Sequence, residues 1–322
     1  MTGTPATGGN LPRRRLGRSG MDVSVLSLGG VAIGGFYGPL PEDDAAGAVR
    51  RAPELGINYV DTSPLYGESE ARLGRIFAAM GGKPAALYLS TKTGTHPARR
   101  GDYTAAGTRW SVENSLRLLG VDSVDLLLIH DPRSEAELEV ALGPDGAVAE
   151  LEKMKAEGKV RAIGLGCRPH AYHRRAIRSG KVDVILTFAD YNLVRQTAAS
   201  LVAEAADAGL GVIVAQAVLA GLLTGVDPRD DPRLRQRPAP ELQAALDWRA
   251  WAQQRGLSLQ ALAIQYVLRD PRVGCVLVGG KSAREVEENV AATTEPLDAS
   301  VWEEVEARIR AGAGQAGPSP ES

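Results

Sequence analysis

Hydrophobic and polar positions along the chain form two kinds of segment that alternate. The first kind is a short apolar run, and eight occur: VSVLSLGG, INYVD, ALYLSTK, VDLLLIH, VRAIGLG, VDVILTF, GVIVAQ and GCVLVGG. The second kind is an amphipathic segment with helical spacing, such as SEARLGRIFAAMG, and one follows each run. Apolar runs without strict alternation are typical of strands that are covered on both faces. The pattern therefore predicts eight strand–helix units.

The repetition of these units favours one closed barrel over a doubly wound sheet. Several predicted helices end in a glycine just before a new strand, at Gly56, Gly120 and Gly209, as helix C-termini commonly do. The glycines of SLGGVAIGG do not have the spacing of a dinucleotide-binding fingerprint, which argues against a Rossmann domain. We therefore predict an α/β fold, a single-domain (β/α)8 TIM barrel.

The barrel domain is predicted to span residues 12–311. Residues 1–11 and 312–322 are rich in small residues and proline and are predicted to be disordered tails. The longest insertion lies between the seventh strand and its main helix. Its first half, rich in Pro, Asp and Arg, predicts a long loop, and its second half predicts an extra amphipathic helix.

Composition and charge exclude several classes of protein. The chain has 322 residues, 44% hydrophobic, with a formal net charge of -2, so no strong field attracts nucleic acid or a membrane surface. No secretory signal or membrane-spanning run is present, which predicts a cytoplasmic protein. The two cysteines, Cys167 and Cys275, are too few for a disulfide framework or a metal cluster. We expect buried thiols and no metal, and the oligomeric state stays open.

Three ionisable residues end three successive predicted strands. Asp61 ends the second strand, Lys92 the third and His130 the fourth, and Tyr66 lies in the loop after the second strand. Taken singly, each has an ordinary explanation as a helix cap, a solvated amine or a structural imidazole. In (β/α)8 barrels, however, the active site lies at the carboxyl ends of the strands. We therefore expect these four side chains to converge.

These residue types suit proton transfer that accompanies hydride transfer. A tyrosine has a pKa of about 10, and a nearby ammonium lowers it. An aspartate beside the lysine keeps the ammonium charged, and an imidazole hydrogen-bonds the substrate oxygen as its charge changes. Such a set protonates a carbonyl oxygen or deprotonates an alcohol. Because protein side chains supply no hydride, a nicotinamide or flavin coenzyme is implied.

The motifs DTSPLYGESEARLG, LSTKTG and VDLLLIHD, in this order and spacing, resemble the aldo-keto reductase superfamily. The resemblance extends over about residues 14–292, from RRLGRSGMDVSVLSLGG to VLVGGKSAREVEENVAA. It implies that Asp61, Tyr66, Lys92 and His130 form a catalytic tetrad and that NAD(P)H binds extended across the barrel mouth. In this interpretation Asp61 holds Lys92, Lys92 lowers the pKa of Tyr66, and Tyr66 transfers the proton.

The resemblance also indicates coenzyme-binding residues, with departures from the usual pattern. Gly166 and Cys167 stand where many members carry Ser-Asn to hold the carboxamide. Phe188 lies near the place of a common glutamine, and Gln216 near that of a tyrosine that stacks on the nicotinamide. The other expected contacts follow the seventh and eighth strands: Leu219, Gly221, Gly280, Lys281, Ser282, Arg284, Glu285, Glu288 and Asn289.

The choice between NAD and NADP depends on the segment after the eighth strand. Lys281 and Ser282 fit the 2'-phosphate of NADP, and Arg284 is placed to reach it. Glu285 stands where the resemblance places a last Arg or Gln. A carboxylate there repels a phosphate and accepts a hydrogen bond from a free ribose 2'-hydroxyl. Alternatively, Glu285 is only a first-turn acid favoured by the helix dipole. The first interpretation favours NAD, with NADP as the alternative.

Three functions are compatible with the sequence. The departures, together with GGVAIGGFYG, IHDP and GLL, resemble the bacterial L-fucose/D-threo-aldose 1-dehydrogenase branch, which implies oxidation of an aldose at C1 to its lactone. The same tetrad also serves an NADPH-dependent reductase of aldehydes or ketones, because the chemistry is reversible. A non-catalytic coenzyme-binding regulatory subunit is disfavoured because all four tetrad positions are filled.

Candidate substrate residues are aromatic or acidic. Phe36 and Tyr37 follow the first strand, Asp131 follows His130, and Tyr103 and Trp110 lie after the third strand. Aromatic faces with a carboxylate suit a sugar ring and its hydroxyls. Trp110 lies on a predicted helix, where packing is the ordinary explanation. The expected ligand is a small sugar or carbonyl compound, with no nucleic-acid or membrane partner.

Overall fold

The computed structural model describes residues 11–317 and contains a closed eight-stranded parallel barrel. A short antiparallel hairpin, β1 (Arg13–Arg15) and β2 (Asp22–Ser24), precedes it. The barrel strands follow in chain order: β3 (Leu26–Gly29), β4 (Tyr59–Asp61), β5 (Tyr88–Thr93), β6 (Val124–His130), β7 (Val160–Gly166), β8 (Val184–Phe188), β9 (Gly211–Ala215) and β10 (Cys275–Gly279). Because β10 pairs with β3, the barrel has no open edge, and the predicted (β/α)8 fold is confirmed.

The helices lie between the strands, as the amphipathic segments predict. Those of the first half are α1 (Gly30–Ile33), α2 (Glu42–Glu54), α3 (Ser69–Ala79), α4 (Ala105–Leu119), α5 (Glu135–Leu142), α6 (Ala147–Ala156) and α7 (His170–Ser179). Those of the second half are α8 (Ala199–Asp207), α9 (Pro232–Arg235), α10 (Ala239–Gln254), α11 (Leu259–Leu268), α12 (Ala283–Thr294) and α13 (Ala299–Arg310).

Each strand buries both faces, which explains its continuous apolar sequence. In β6, Leu126 and Leu128 belong to the cluster inside the barrel, whereas Leu127 and Ile129 pack in the layer beneath the helices. The inner cluster also contains Leu16 of the β1–β2 turn, whose backbone meets the start of β9. The hairpin therefore closes the amino-terminal end of the barrel and leaves the carboxyl ends of the strands as its mouth.

The predicted insertion after the seventh barrel strand contains a 3-10 turn at Leu219–Gly221, then α9 and α10. Helix α10 packs through Trp248 and Trp251 with Leu219 and Leu222 in a second hydrophobic cluster. The predicted long loop and extra helix are therefore present, and the helix fastens the loop to the barrel mouth.

The predicted carboxyl-terminal tail begins too early. The carbonyl oxygen of Gly314 accepts a hydrogen bond from the Trp248 indole at 3.0 Å, and Ala316 N donates to the Val194 carbonyl at 3.3 Å. Residues 312–317 therefore pack against α10 and the loop after β8. The buried Trp248 indole N–H and the Val194 carbonyl find hydrogen-bond partners in this segment, as buried polar groups generally do. Residues 1–10 and 318–322, which make up most of the predicted tails, lie outside the described residues. Within the described part of the chain, no helix has the length and hydrophobicity needed to cross a membrane.

Candidate active site

The carboxyl ends of β4, β5 and β6 bring the predicted residues together. Asp61 ends β4, Lys92 lies near the end of β5, and His130 ends β6. Tyr66 lies in the loop between β4 and α3, where its carbonyl touches Gly34. A Cβ at position 34 would lie 1.7 Å from that oxygen, so glycine is required there for the Tyr66 loop to pack against the end of α1.

Asp61 and Lys92 form a buried ion pair beneath the other two residues. The Lys92 ammonium donates to Asp61 Oδ2 at 2.6 Å and to the Thr62 carbonyl at 2.7 Å. The hydroxyl of Ser90 donates to Asp61 Oδ1 at 2.6 Å. Burial lowers the pKa of Lys92, and the Asp61 carboxylate opposes that shift. Both partners are thus held in one geometry, as a buried ion pair requires.

Tyr66 lies over this pair. The Lys92 ammonium is 4.8 Å from the centroid of the Tyr66 ring, and the His130 ring meets Tyr66 edge-on with centroids 5.9 Å apart. Burial raises the pKa of Tyr66 well above 10, and the negative charges of Asp61 and Asp131 raise it further. The expected lowering by Lys92 therefore does not dominate, because burial of the phenol and the nearby negative charges outweigh it. In this state Tyr66 is a protonated phenol.

His130 is neutral and has polar neighbours at both ring nitrogens. Its Nδ1 is 2.7 Å from Thr95 Oγ1 and 3.3 Å from Ser63 Oγ, and its Nε2 is 3.4 Å from Asp131 Oδ2. Burial lowers the pKa of His130 well below 6.5, and Lys92 lowers it further. A hydroxyl can donate to Nδ1, whereas a carboxylate can only accept. This environment favours the tautomer with the proton on Nε2, which can donate to a substrate oxygen.

The backbone at His130 and Asp131 is fixed by a residue that the sequence suggested as a substrate contact. The Tyr103 hydroxyl donates to the His130 carbonyl at 2.6 Å, and Asp131 N donates to the Gly166 carbonyl at 2.9 Å. Tyr103 is buried, and its ring lies where a Cβ on Gly94, which has φ of 91°, would be 2.0 Å away. Tyr103 therefore positions the end of β6.

Strained backbone clusters at this end of the barrel. Among residues 11–317, the non-glycine residues with positive φ all follow β6, β8 or β9: Asp131, Ala189, Gln216, Leu219 and Ala220. Left-handed backbone costs free energy for residues with a Cβ and is concentrated at functional sites. The distribution supports the barrel mouth as the functional end.

The loop after β7 differs from the prediction at Cys167. Its thiol is buried 3.5 Å from Nε2 of His173 beneath α7, and burial raises its pKa well above 9. The thiol is therefore turned away from the mouth and cannot hold a carboxamide, although Gly166 remains at the strand end. Arg168, which follows, lies with its guanidinium 5.0 Å from the Phe188 ring centroid. Arg168 was not among the residues predicted from the sequence to bind coenzyme or substrate.

The residues predicted to bind the coenzyme after β9 form a turn with unusual backbone. Gln216, Leu219 and Ala220 have φ of 59°, 46° and 55°, and Gly221 has 111°. The Leu219 side chain is buried with α10, so only its backbone is available at the mouth. Leu219 N and Gly221 N donate to the carbonyls of Gln216 and Val218, so these two N–H groups are used within the turn rather than presented to a ligand.

The amino terminus of α12 contains the remaining predicted coenzyme residues. Ser282 caps the helix by accepting from Glu285 N at 3.3 Å, and Glu285 Oε2 accepts from Lys281 N at 2.9 Å. This pattern resembles a capping box and supports the helix-end interpretation of Glu285. The preceding residue, Gly280, packs against Val286, where a Cβ would lie 2.9 Å from its Cγ2.

Further along α12, two predicted contacts are also engaged by the protein. Arg284 pairs with Glu288 at 2.8 Å on the exposed side of the helix. Asn289 donates to the Gly279 carbonyl at 3.0 Å and accepts from Gln260 at 2.7 Å. The Lys281 side chain and the α12 amino terminus are thus the features best suited to a phosphate.

The candidate substrate residues separate into two groups. Tyr37 is half-buried and lies close enough to Tyr66 for its phenolate charge to raise the pKa of Tyr66. The guanidinium of Arg233, in α9, lies 5.3 Å from the Tyr37 ring centroid. Phe36 meets Tyr37 edge-on and is 64% exposed, which places it on the rim. Trp110 instead packs against His96 and beneath Arg99. The packing interpretation of Trp110 is therefore the better one.

No cluster in residues 11–317 has three or more acidic, His or Cys side chains arranged to hold a metal ion.

Comparison with known proteins decides the family. Residues 25–310 match the model of the Aldo/keto reductase family. The chain belongs to this family. The aldo-keto reductase is 36% identical over 306 residues to the L-galactose dehydrogenase of Arabidopsis thaliana, covering 91% of this chain and 93% of the plant protein. It is 32% identical to a D-threo-aldose 1-dehydrogenase of a Pseudomonas species, with 90% and 96% covered.

Comparison with solved structures also supports the barrel fold. A glycerol dehydrogenase from Gluconobacter oxydans superposes with a TM-score of 0.76 at 25% identity, covering 96% of this chain and 98% of that one. Family membership makes this protein an NAD(P)-dependent oxidoreductase, and its similarity to aldose dehydrogenases agrees with the branch that the motifs resemble.

Proposed function

We propose that this aldo-keto reductase oxidises a free aldose at C1, giving the lactone, with Tyr66 as the residue that moves the proton. The observation that carries the proposal is that the Tyr66 and His130 rings meet edge-on, with centroids 5.9 Å apart, over the buried Asp61–Lys92 pair. Both groups can hydrogen-bond one substrate oxygen. The similarity to two aldose dehydrogenases over nine-tenths of the chain supports a sugar as the substrate.

A nicotinamide coenzyme bound at the barrel mouth would supply the acceptor for the hydride that leaves C1. The C1 hydroxyl loses its proton to the Tyr66 oxygen, and the C–O bond becomes a carbonyl, so the sugar loses one hydride and one proton. His130 donates from Nε2 to the same oxygen and holds it in place. Asp61 holds the Lys92 ammonium under the phenol. There the ammonium stabilises the phenolate, which is the form of Tyr66 that accepts the proton.

The residues at the mouth fit a bound dinucleotide. The amino terminus of α12 beside Lys281 provides backbone N–H groups and a positive charge, which suit a phosphate. We infer that this helix end holds the coenzyme, which leaves the carboxamide to polar groups other than the Cys167 thiol.

A second candidate function is the reduction of aldehydes or ketones. The raised pKa of Tyr66 favours it, because a protonated phenol is the form that donates to a carbonyl oxygen. The chemistry and the residues are the same, and only the direction differs.

Initial rates in both directions test the proposal. Wild-type enzyme is given L-galactose, L-fucose and D-arabinose with NAD or NADP, and pyridoxal and benzaldehyde with the reduced coenzymes, with Tyr66→Phe as the inactive control. We expect coenzyme-dependent aldose oxidation, with the lactone identified by NMR. Reduction of the aldehydes without turnover of any aldose would instead establish the reductase function.

A further inference from the structure

Asp131 has a conformation that needs a functional explanation. It directly follows His130, has φ of 45°, and is held there by the hydrogen bond from its N–H to the Gly166 carbonyl. A non-glycine residue in this region carries strain, although Asp tolerates it better than most. The strain turns the carboxylate back toward the imidazole of the residue before it, with Oδ2 3.4 Å from Nε2.

The carboxylate is presented to the barrel mouth. Its side chain is 36% exposed, whereas that of His130 is 7% exposed. Its charge reaches the Tyr66 phenol, whose pKa it raises. Its carboxylate faces Nε2 of His130 and is close enough to Lys92, Arg168 and Arg100 for their positive charges to act on it. A carboxylate accepts up to about four hydrogen bonds, so it can accept one from a ligand in addition to these neighbours.

The position relative to the reacting oxygen indicates which ligand group it meets. If the reacting oxygen is bound by Tyr66 and by Nε2 of His130, the Asp131 carboxylate is the next acceptor beyond that oxygen. In an aldose or a 2-hydroxy aldehyde, the group beside the C1 oxygen is the C2 hydroxyl, which is a donor. The acceptor and the donor are therefore complementary.

We propose that Asp131 accepts a hydrogen bond from the hydroxyl on the carbon next to the reacting carbon, so that the enzyme selects 2-hydroxy aldehydes and aldoses with a free C2 hydroxyl. This inference rests on the proposed binding of the reacting oxygen between Tyr66 and His130. Selectivity of this kind is strong because a site built to hydrogen-bond a hydroxyl leaves its polar group unpaired when the hydroxyl is missing.

Reduction of lactaldehyde and propanal, which differ by one hydroxyl, tests the inference without requiring aldose oxidation. The measured quantity is the ratio of kcat/KM for the two aldehydes. Asp131→Gly removes the carboxylate and tolerates the positive φ, and Asp131→Asn keeps the shape without the charge. Asp122→Asn, on an exposed residue before the opposite end of β6, is the matched control.

We expect the ratio to fall about tenfold or more in Asp131→Gly and by a smaller factor in Asp131→Asn, as for the loss of a hydrogen bond to a charged group. If Asp131 only oriented His130, both aldehydes would lose the same factor, and an unchanged ratio would overturn the inference. If the ratio falls but no aldose is oxidised in the assay above, the inference holds and the aldose function fails. D-Arabinose and 2-deoxy-D-ribose, which also differ only at C2, repeat the comparison in the oxidative direction.

A pH profile supplies a second readout. Burial raises the pKa of Asp131 to about 6, against the lowering effects of Lys92, Arg168 and Arg100. Below that pH the carboxyl is protonated and loses its charge as an acceptor, so the wild-type ratio should decline as the pH falls through about 6. Burial and the charge of Lys92 lower the pKa of His130 well below 6.5. A wild-type ratio that does not change with pH would contradict the assignment of Asp131.

Discussion

The hydroxyl oxygen of Thr95 lies 2.7 Å from Nδ1 of His130, and both residues are buried. Because the imidazole is neutral, its single proton can occupy either nitrogen. A hydroxyl donating to Nδ1 and a carboxylate facing Nε2 together favour the proton on Nε2. Thr95 is therefore a positioning residue that acts on the substrate through His130.

Replacing Thr95 tests this role. Thr95→Val keeps the shape and removes the donor, so kcat should fall about tenfold, the scale of one lost hydrogen bond, with less change in KM. Thr95→Ser retains the hydroxyl and should restore most of the rate. Initial rates for the three proteins measure this. Equal kcat in Thr95→Val and wild type would remove Thr95 from the mechanism, and failure of Thr95→Ser to recover would indicate a packing role.

Substitutions of Asp61 and Lys92 should affect the stability of the protein and its turnover differently. Lys92→Met leaves the Asp61 carboxylate buried without its cation, which should cost about 3–5 kcal/mol of unfolding free energy. Adding Asp61→Asn removes the uncompensated charge, so the double variant should regain part of that stability while turnover stays low. Urea unfolding and initial rates of the single and double variants measure the two effects.

Lys181→Met, at an exposed position, is the control for this cycle. The two outcomes that contradict the account are distinct. Additive losses of stability in the double variant would mean that the two residues do not interact. Wild-type turnover in the double variant would mean that the ammonium does not act on Tyr66.

The protonation state of Tyr66 predicts different pH dependences for oxidation and reduction. Its pKa lies well above 10, so the fraction of phenolate, the form that accepts the alcohol proton, rises with pH throughout the neutral and alkaline range. Oxidation should therefore accelerate as the pH rises from about 7 to 9, whereas reduction, which uses the phenol, should not. Profiles of kcat/KM in both directions measure this. Parallel profiles, with hydride transfer limiting, would be inconsistent with a tyrosine base.

Features of this site that depend only on a residue's position in its own strand could be predicted from the sequence, whereas contacts between different loops could not. Asp61, Lys92 and His130 could be assigned because each ends an apolar run, and the carboxyl ends of barrel strands meet at one mouth. Thr95 and Ser63 could not be assigned, because their contacts with His130 depend on how loops from two strands fold over a third. The expected direction of the Tyr66 pKa shift differs from the one in the structure, because the sequence does not show how deeply the phenol is buried. Burial raises the pKa of Tyr66, and the charges of Asp61 and Asp131 raise it further.

Two helices of the structure, α5 and α13, were not predicted from the sequence. Helix α5, EAELEVAL, places acids and apolar residues in nearly strict alternation, which is a strand-like period, and no helix was predicted there. Helix α13, in contrast, has apolar Val301, Trp302, Val305 and Ile309 at helical spacing and could have been found. The hairpin strands β1 and β2 have three residues each, too short for a periodic pattern.

The coenzyme segment shows where the sequence is ambiguous. A glutamate in the first turn of a helix can bind a ribose or cap the helix, and only the contact between Glu285 and Lys281 N separates the two. Since the carboxylate is engaged, the sequence-based argument that it selects NAD loses its support, and we expect the Lys281 ammonium to have the larger effect on coenzyme selectivity.

Two variants test this assignment. Glu285→Gln keeps an acceptor for Lys281 N, so the ratio of kcat/KM for NADP and NAD should change by less than about threefold, because the carboxylate is engaged by the protein and its charge is screened by salt. Lys281→Met removes a cation suited to the 2'-phosphate and should lower the ratio about tenfold. Initial rates with both coenzymes measure the ratio. A large shift toward NADP in Glu285→Gln would restore the ribose interpretation.

The central claim is that Tyr66 moves the proton, and Tyr66→Phe tests it most directly because only the phenol oxygen is removed. The measurement is kcat with a saturating substrate, together with the coenzyme dissociation constant and the deuterium isotope effect on the transferred hydrogen. We predict a loss of at least about 100-fold in kcat, the scale of general acid–base catalysis, with unchanged coenzyme affinity. A Tyr66→Phe enzyme with near wild-type kcat, and an isotope effect showing that hydride transfer limits the rate, would contradict the account.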